Sequence, residues 1–325
     1  MTEKSRPRWL IVLSYALFFV VCFAVSIYLT FPMSALKPKV LALLQQAVAN
    51  AGPAPGRYGV PSEVKVAGLD VYRLSGVALE RLSIRLASTD PDPAPTWEID
   101  RARVRLKLLP LIIGKRRVAF DIDAYEGNLS GSALIDDNRL AELEAEAEDF
   151  ALGKIPALAA KLGVPWGGTV GGDADLKIGK TAKEIQGKIA LTGQGAVLGP
   201  GEIKIPFMSG ALTVPAIDLG KLEVVADIAE GKAKVKPAQL TGKDLQIAAE
   251  MTVTLRDPVS RSTTAGALEL KPAESFLKAN PKFQPIFDLT PDLKRAKGKD
   301  GGYYFKLAGI LSSIRPVADP NARVN

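Results

Sequence analysis

Four cations alternate along one stretch of this chain, Arg101, Arg103, Arg105 and Lys107, with Ala102, Val104, Leu106 and Leu108 between them. In an extended strand every second side chain shares a face, so the four stand as a comb that could meet lipid phosphates or an acidic partner. The same spacing also serves a strand that uses charge to stay solvated and unpaired at a sheet edge. A second charged cluster, Glu142, Glu144, Glu146, Glu148 and Asp149, lacks the Asp-x-Asp spacing and the glycine of a calcium loop, and reads as a solvated surface. The glycine-rich stretches 167–172 and 193–201 match neither the dinucleotide fingerprint nor a phosphate-binding loop, and read as turns. Asn128-Leu129-Ser130 is a formal glycosylation acceptor that nothing else in the chain supports.

What is missing narrows the chemistry further. The chain has no His, and its one Cys is Cys22. Ser-His-Asp and Cys-His catalysis are therefore excluded, as are zinc sites built on His or Cys outside the segment around Cys22. No motif implies a cofactor, and the scattered carboxylates mark no catalytic pair, so no enzymatic activity is expected. The net charge of +7 and pI near 9.3 are mildly basic, but with aromatic residues at 6% and the bulk expected across a membrane, nucleic acid is not an expected partner.

The element that positions everything else is an apolar run. Residues 9–31 (WLIVLSYALFFVVCFAVSIYLTF) contain no Asp, Glu, Lys or Arg. As a helix they would span roughly 34 Å, enough to cross a hydrocarbon core about 30 Å thick. The run is too long for the apolar core of a cleaved signal peptide, and FPM at 31–33 offers no small-x-small cleavage site. Lys4, Arg6 and Arg8 precede it, which places residues 1–8 in the cytoplasm and the bulk of the chain in the periplasm of a bacterial inner-membrane protein. Residues 32–51 follow as an amphipathic helix, with Leu36, Val40, Leu43, Leu44, Ala47 and Val48 at helical spacing.

Residues 52–325 form the expected periplasmic β domain, opening with a linker at 52–61. Period-two alternation starts at Val64 and Val66, and its parity shifts at Glu80-Arg81, which reads as a β-bulge. Strands are expected at 97–108, 118–125 and 129–135, with a turn at 114–117. Residues 138–163 are rich in helix formers and read as a helical insertion. Alternation returns at Trp166, is interrupted by a short helix at 272–280, and closes with Tyr303, Phe305 and Leu307. Along 247–255 runs the longest clean apolar stripe, in which Ile247, Met251, Val253 and Leu255 are candidates to line an apolar groove. A transfer protein would leave that stripe open, whereas a scaffold would pack it under the helices at 140–163. The fold class is mainly β, an elongated, curled antiparallel sheet, half-pipe or sandwich, with two or three short helices.

Several short segments resemble a known family. TFP at 30–32 after a single span, LSGVAL at 74–79, GPG at 199–201, IDLG at 217–220, LTGKD at 240–244 and DGGYYFKLAG at 300–309 resemble the type II secretion system protein N family, and the plan is similar to the wider AsmA-like periplasmic proteins. The resemblance implies a non-enzymatic inner-membrane component of the machine that exports folded proteins through an outer-membrane secretin, with other secretion subunits as partners. The AsmA-like likeness implies a second function, a lipid-binding or lipid-transfer protein that holds phospholipid chains in an apolar groove between inner and outer membranes. Neither implies a catalytic residue.

Overall fold

Alternation of one apolar and one polar residue, repeated from Tyr58 to Ala318, folds into a single fourteen-stranded antiparallel sheet with one small hairpin beside it. The computed structural model describes residues 18, 19, 22, 37–51, 58–73, 75–88, 96–156, 158, 164–204, 211–283, 290–311 and 313–324. The strands are β1 (Tyr58–Tyr72), β2 (Gly76–Ser88), β3 (Thr96–Leu106), β4 (Arg116–Ala124), β5 (Gly127–Asp136), β6 (Arg139–Ala151), β7 (Trp166–Lys177) and β8 (Gln186–Leu198). They continue as β9 (Gly201–Lys204), β10 (Ala211–Val214), β11 (Ile217–Ala229), β12 (Lys232–Thr241), β13 (Leu245–Thr254), β14 (Thr263–Pro272), β15 (Tyr303–Ile310) and β16 (Ser313–Ala318). Each strand pairs with its sequence neighbour, except that the β9–β10 hairpin stands outside the sheet and β8 pairs directly with β11. The α-helices described end to end are α1 (Lys37–Ala51), α2 (Leu108–Ile112), α3 (Glu274–Ala279) and α4 (Pro291–Ala296).

The amphipathic helix expected at 32–51 is α1, and the short helix expected at 272–280 is α3. Strand β1 begins at Tyr58, inside the stretch read as a linker. The apolar run 9–31 lies outside the described residues apart from Phe18, Phe19 and Cys22. Among the described residues no helix is long and apolar enough to cross a membrane.

Two expectations need correction. Within the helical insertion expected at 138–163, residues 139–151 form strand β6 instead, while the described residues after it, Leu152–Lys154, Pro156 and Leu158, are helical. The Ala and Glu residues favour a helix only weakly, by a few tenths of a kcal/mol each. Their alternation matters more. It sets Leu143, Ala145 and Ala147 on one face between partners on β5 and β7, with Glu142, Glu144 and Glu146 on the other. The parity shift at Glu80-Arg81 is also not a bulge. Register runs unbroken from β1 through β2 to β3 at that level, with Gly68 opposite Glu80 and Glu80 opposite Arg101. All three strands switch parity together, Val66 to Leu69, Leu82 to Leu79 and Ile99 to Ala102, with Arg81 at φ 48°. The result is a crease shared by three strands.

True bulges lie further along, where β6 carries an extra residue at Glu148-Asp149, β8 near Gly195 and β12 at Lys236-Pro237. Gly220 (φ 66°) shifts the register of β11 in the same zone. Such insertions bend the strand and increase its twist. They also move Ile217, Leu219, Ala196 and Leu198 onto the apolar side despite their parity. Buried residues there form a cluster of Val164, Ala196, Val214, Ile217, Leu219 and Phe276, closed over by α3 and the β9–β10 hairpin.

Candidate functional site: a sheet with one apolar and one charged face

The ladder registers join one residue from every strand of the large sheet into a row. In order it reads Val71, Val77, Val104, Phe120, Gly131, Ala145, Ala174, Ile189, Ala226, Val235, Met251, Gly266, Leu307 and Pro316. None is polar. Flanking rows repeat the pattern, with Leu79, Ala102, Ile122, Leu129 and Ala147 on one side and Leu106, Val118, Ala133, Leu143 and Leu176 on the other. Strand-to-strand spacing is about 4.8 Å, so the apolar face continues for roughly 60 Å measured along the sheet.

Coverage of this face is uneven. From β7 onward it is capped at both ends. The β7–β8 connection sets Ala182 on Val253 and Leu255, and α4 sets Ala296 on Tyr303 and Phe305. Among the described residues, none of the three buried clusters takes a member from 58–151. The row residues Val77, Val104, Phe120 and Ala145 are half-buried, as are Ala174, Ile189, Ala226, Val235 and Met251 further along, while beside the row Leu79 and Ala102 are buried and Leu191 is exposed. The candidate stripe divides accordingly, with Val253 and Leu255 buried under Ala182 and Ile247 and Met251 half-buried. Over 139–151 the segment expected to cover it as a helix is itself strand β6.

The opposite face is charged and carries ion pairs between strands. Arg103 pairs with Asp121 at 3.1 Å and lies 5.8 Å from the centre of the Tyr72 ring. Arg101 stands in register with Glu80 on one side and Asp123 on the other, and Arg105 with Gly76 and Ala119. Lys107 borders a hollow with Glu144, Glu146, Asp173 and Asp175. Three of the four comb residues thus stand near carboxylates, Arg103 in an ion pair, while Arg105 lies between Gly76 and Ala119. Beside it Arg117 reaches Glu142 at 2.5 Å and Glu144 at 3.3 Å, while the buried Ser132 hydroxyl donates to Glu144 at 3.1 Å. The Ser132 hydrogen bond, then Arg117, holds the Glu144 carboxyl below its ordinary pKa. Among the described residues no cluster of His, Cys, Asp and Glu could hold a metal ion.

Segments quoted for the family resemblance meet in space. Asp218 and Asp244 exchange hydrogen bonds, Asp218 N–H to the Asp244 carboxylate at 2.8 Å and Asp244 N–H to the Asp218 carbonyl at 3.3 Å. Gly242 packs so closely that a Cβ there would stand 2.1 Å from the Asp218 carbonyl oxygen. Gly199 N–H donates to the Pro165 carbonyl at 2.8 Å, beside Val164 in the same buried cluster. Thus GPG, IDLG and LTGKD together close one end of the apolar face. In DGGYYFKLAG the Tyr304 hydroxyl donates to Asp300, with the Arg323 guanidinium 3.5 Å from its ring centre.

One feature was not foreseen. Helix α2 sits in the β3–β4 connection and exposes Leu108, Leu109, Leu111, Ile112 and Ile113. Its signal in the sequence is LLPLII, an unbroken apolar run followed by GKRR in a chain that otherwise alternates.

No known family profile, curated protein or solved structure matches the chain.

Proposed function

We propose that this chain is a single-span inner-membrane protein, with its N-terminus in the cytoplasm and its sheet in the periplasm, and a non-enzymatic component of the type II secretion apparatus. It works through contact with other secretion subunits, the outer-membrane secretin among them. The observation that supports this reading is the convergence of GPG, IDLG and LTGKD on one closed end of the sheet. Segments scattered over 46 residues of sequence, from Gly199 to Asp244, act there as one structural unit. The apolar face is the surface on which this reading places the partner. The test compares culture medium and periplasm of a strain lacking the gene. Secreted proteins trapped in the periplasm behind an intact outer membrane support the reading, and normal secretion counts against it.

The continuous apolar row favours a second reading, in which the sheet curls as a half-pipe and carries phospholipid chains between membranes. Its test is lipid extraction from the purified full chain. Co-purified phospholipid that disappears in the Ala145→Glu variant supports it, and equal lipid in both proteins removes it.

A further inference from the structure

Helix α2 buries none of its side chains. Leu109 and Ile112 are 80% exposed and Ile113 is 72% exposed. The loop is nevertheless tightly held. Lys107 N–H donates to the Arg117 carbonyl at 2.8 Å, Gly114 N–H to Leu111 at 3.0 Å and Lys115 N–H to Pro110 at 2.9 Å. Ser75 fixes its base, the Oγ donating to the Leu106 carbonyl at 2.6 Å. The backbone thus holds an apolar cap out into solvent, and contiguous exposed apolar patches often mark interaction sites. Exposed Lys115 and Arg116 border the cap, while Asp136 and Asp137 stand one hairpin away.

The position of the cap in the sheet adds a second observation. Leu106, two residues before α2, belongs to a ladder row near one end of the strands that includes Val253 and Gly309. Just beyond those residues, on the same edge, Val259, Ile310 and Leu311 are exposed, and Leu311 N–H donates to the Ser262 carbonyl at 2.8 Å. Arg256 and Arg261 flank them. One edge of the sheet therefore presents two apolar tips bordered by cations. Helix α1 joins β1 at the opposite edge, about 36 Å away by the length of β3. A cap of five residues is too small for a stable protein interface, which buries about 800 Å² per partner. It does fit the headgroup boundary of a bilayer, where apolar side chains insert and neighbouring cations meet lipid phosphates.

We infer that α2 is a membrane-docking tip that inserts into an anionic phospholipid surface at the sheet edge opposite α1. This inference is independent of the secretion and lipid-carrier roles and rests on the proposed single span only for anchoring the chain in the nanodisc, which co-elution of chain and nanodisc checks separately. The test uses the full chain with Cys22→Ser and Ile112→Cys, labelled at position 112 with an environment-sensitive fluorophore and held one copy per phosphatidylcholine nanodisc. Vesicles containing phosphatidylglycerol should shift the emission to the blue. Lys115→Gln and Arg116→Gln should weaken that response about fivefold each, and Leu109→Ser with Ile113→Ser should abolish it while circular dichroism stays unchanged. Emission that stays water-like with vesicles, or that shifts before any are added, overturns the inference.

Discussion

The Ala182 backbone N–H donates to the Asp257 carboxylate at 2.9 Å, joining residues 75 apart in sequence. The bond ties the β7–β8 connection to the β13–β14 connection, across the ends of β11 and β12. Ala182 is thereby held on Val253 and Leu255, and that end of the apolar face is shut. Asp257→Ala removes the acceptor and should lower stability by about 1.5 kcal/mol, the scale of a hydrogen bond to a charged group. A thermal melt should show the loss, and an apolar dye should bind more strongly as Val253 and Leu255 become accessible.

Val253 and Ala145 share the apolar side but differ in cover. Val253→Asp places a carboxylate in a buried site with no cation among the residues clustered there, which costs about 3–5 kcal/mol and should leave little folded protein. Ala145→Glu adds a carboxylate to a half-buried site between Gly131 and Ala174, so its circular dichroism should match the native spectrum. Loss of fold in both variants would mean that the face over β5–β7 is packed.

Much of this was legible in the sequence. Period two predicted an antiparallel sheet, and Pro272 with the following helix formers predicted α3. The misreading of 139–151 shows the limit, because Ala and Glu favour a helix locally while only the partners on β5 and β7 decide for a strand. Register is equally hidden. That Arg103 meets Asp121, or that Val104 and Met251 share one row, depends on turn lengths and bulges summed over many strands. The bonds from Asp218 to Asp244 and from Ala182 to Asp257 are long-range, and no local pattern announces them. Helix α2 was the opposite case, an apolar run visible in the sequence and passed over because it interrupts the alternation.

Glu144 carries a pH signature. Its carboxyl titrates below its ordinary range in the folded protein because of Ser132 and Arg117. A carboxylate with a depressed folded pKa adds stability that is fully present above its unfolded pKa, near 4.3, and is lost as pH falls through the folded value. The native protein should therefore lose stability on acidification below about pH 4.3 more steeply than Glu144→Gln, and denaturant titrations from neutral to acidic pH should show the difference.

Gly242→Ala would push a methyl group to 2.1 Å from the Asp218 carbonyl oxygen and 2.6 Å from the Leu219 Cα. Both neighbours are backbone, so neither can move without disturbing the Asp218–Asp244 bonds. A loss of about 1–3 kcal/mol is expected, measured by denaturant unfolding. No change would mean that this end of the sheet is looser than its hydrogen bonds show.

The central claim is that the apolar face serves protein secretion. Its most direct test complements a strain lacking the gene with the native chain or with Ala145→Glu, and measures secreted proteins in medium and periplasm. The account predicts that the native chain restores release to the medium, while the folded, membrane-associated variant leaves those proteins in the periplasm. Equal release by both, or normal release without the gene, would contradict it.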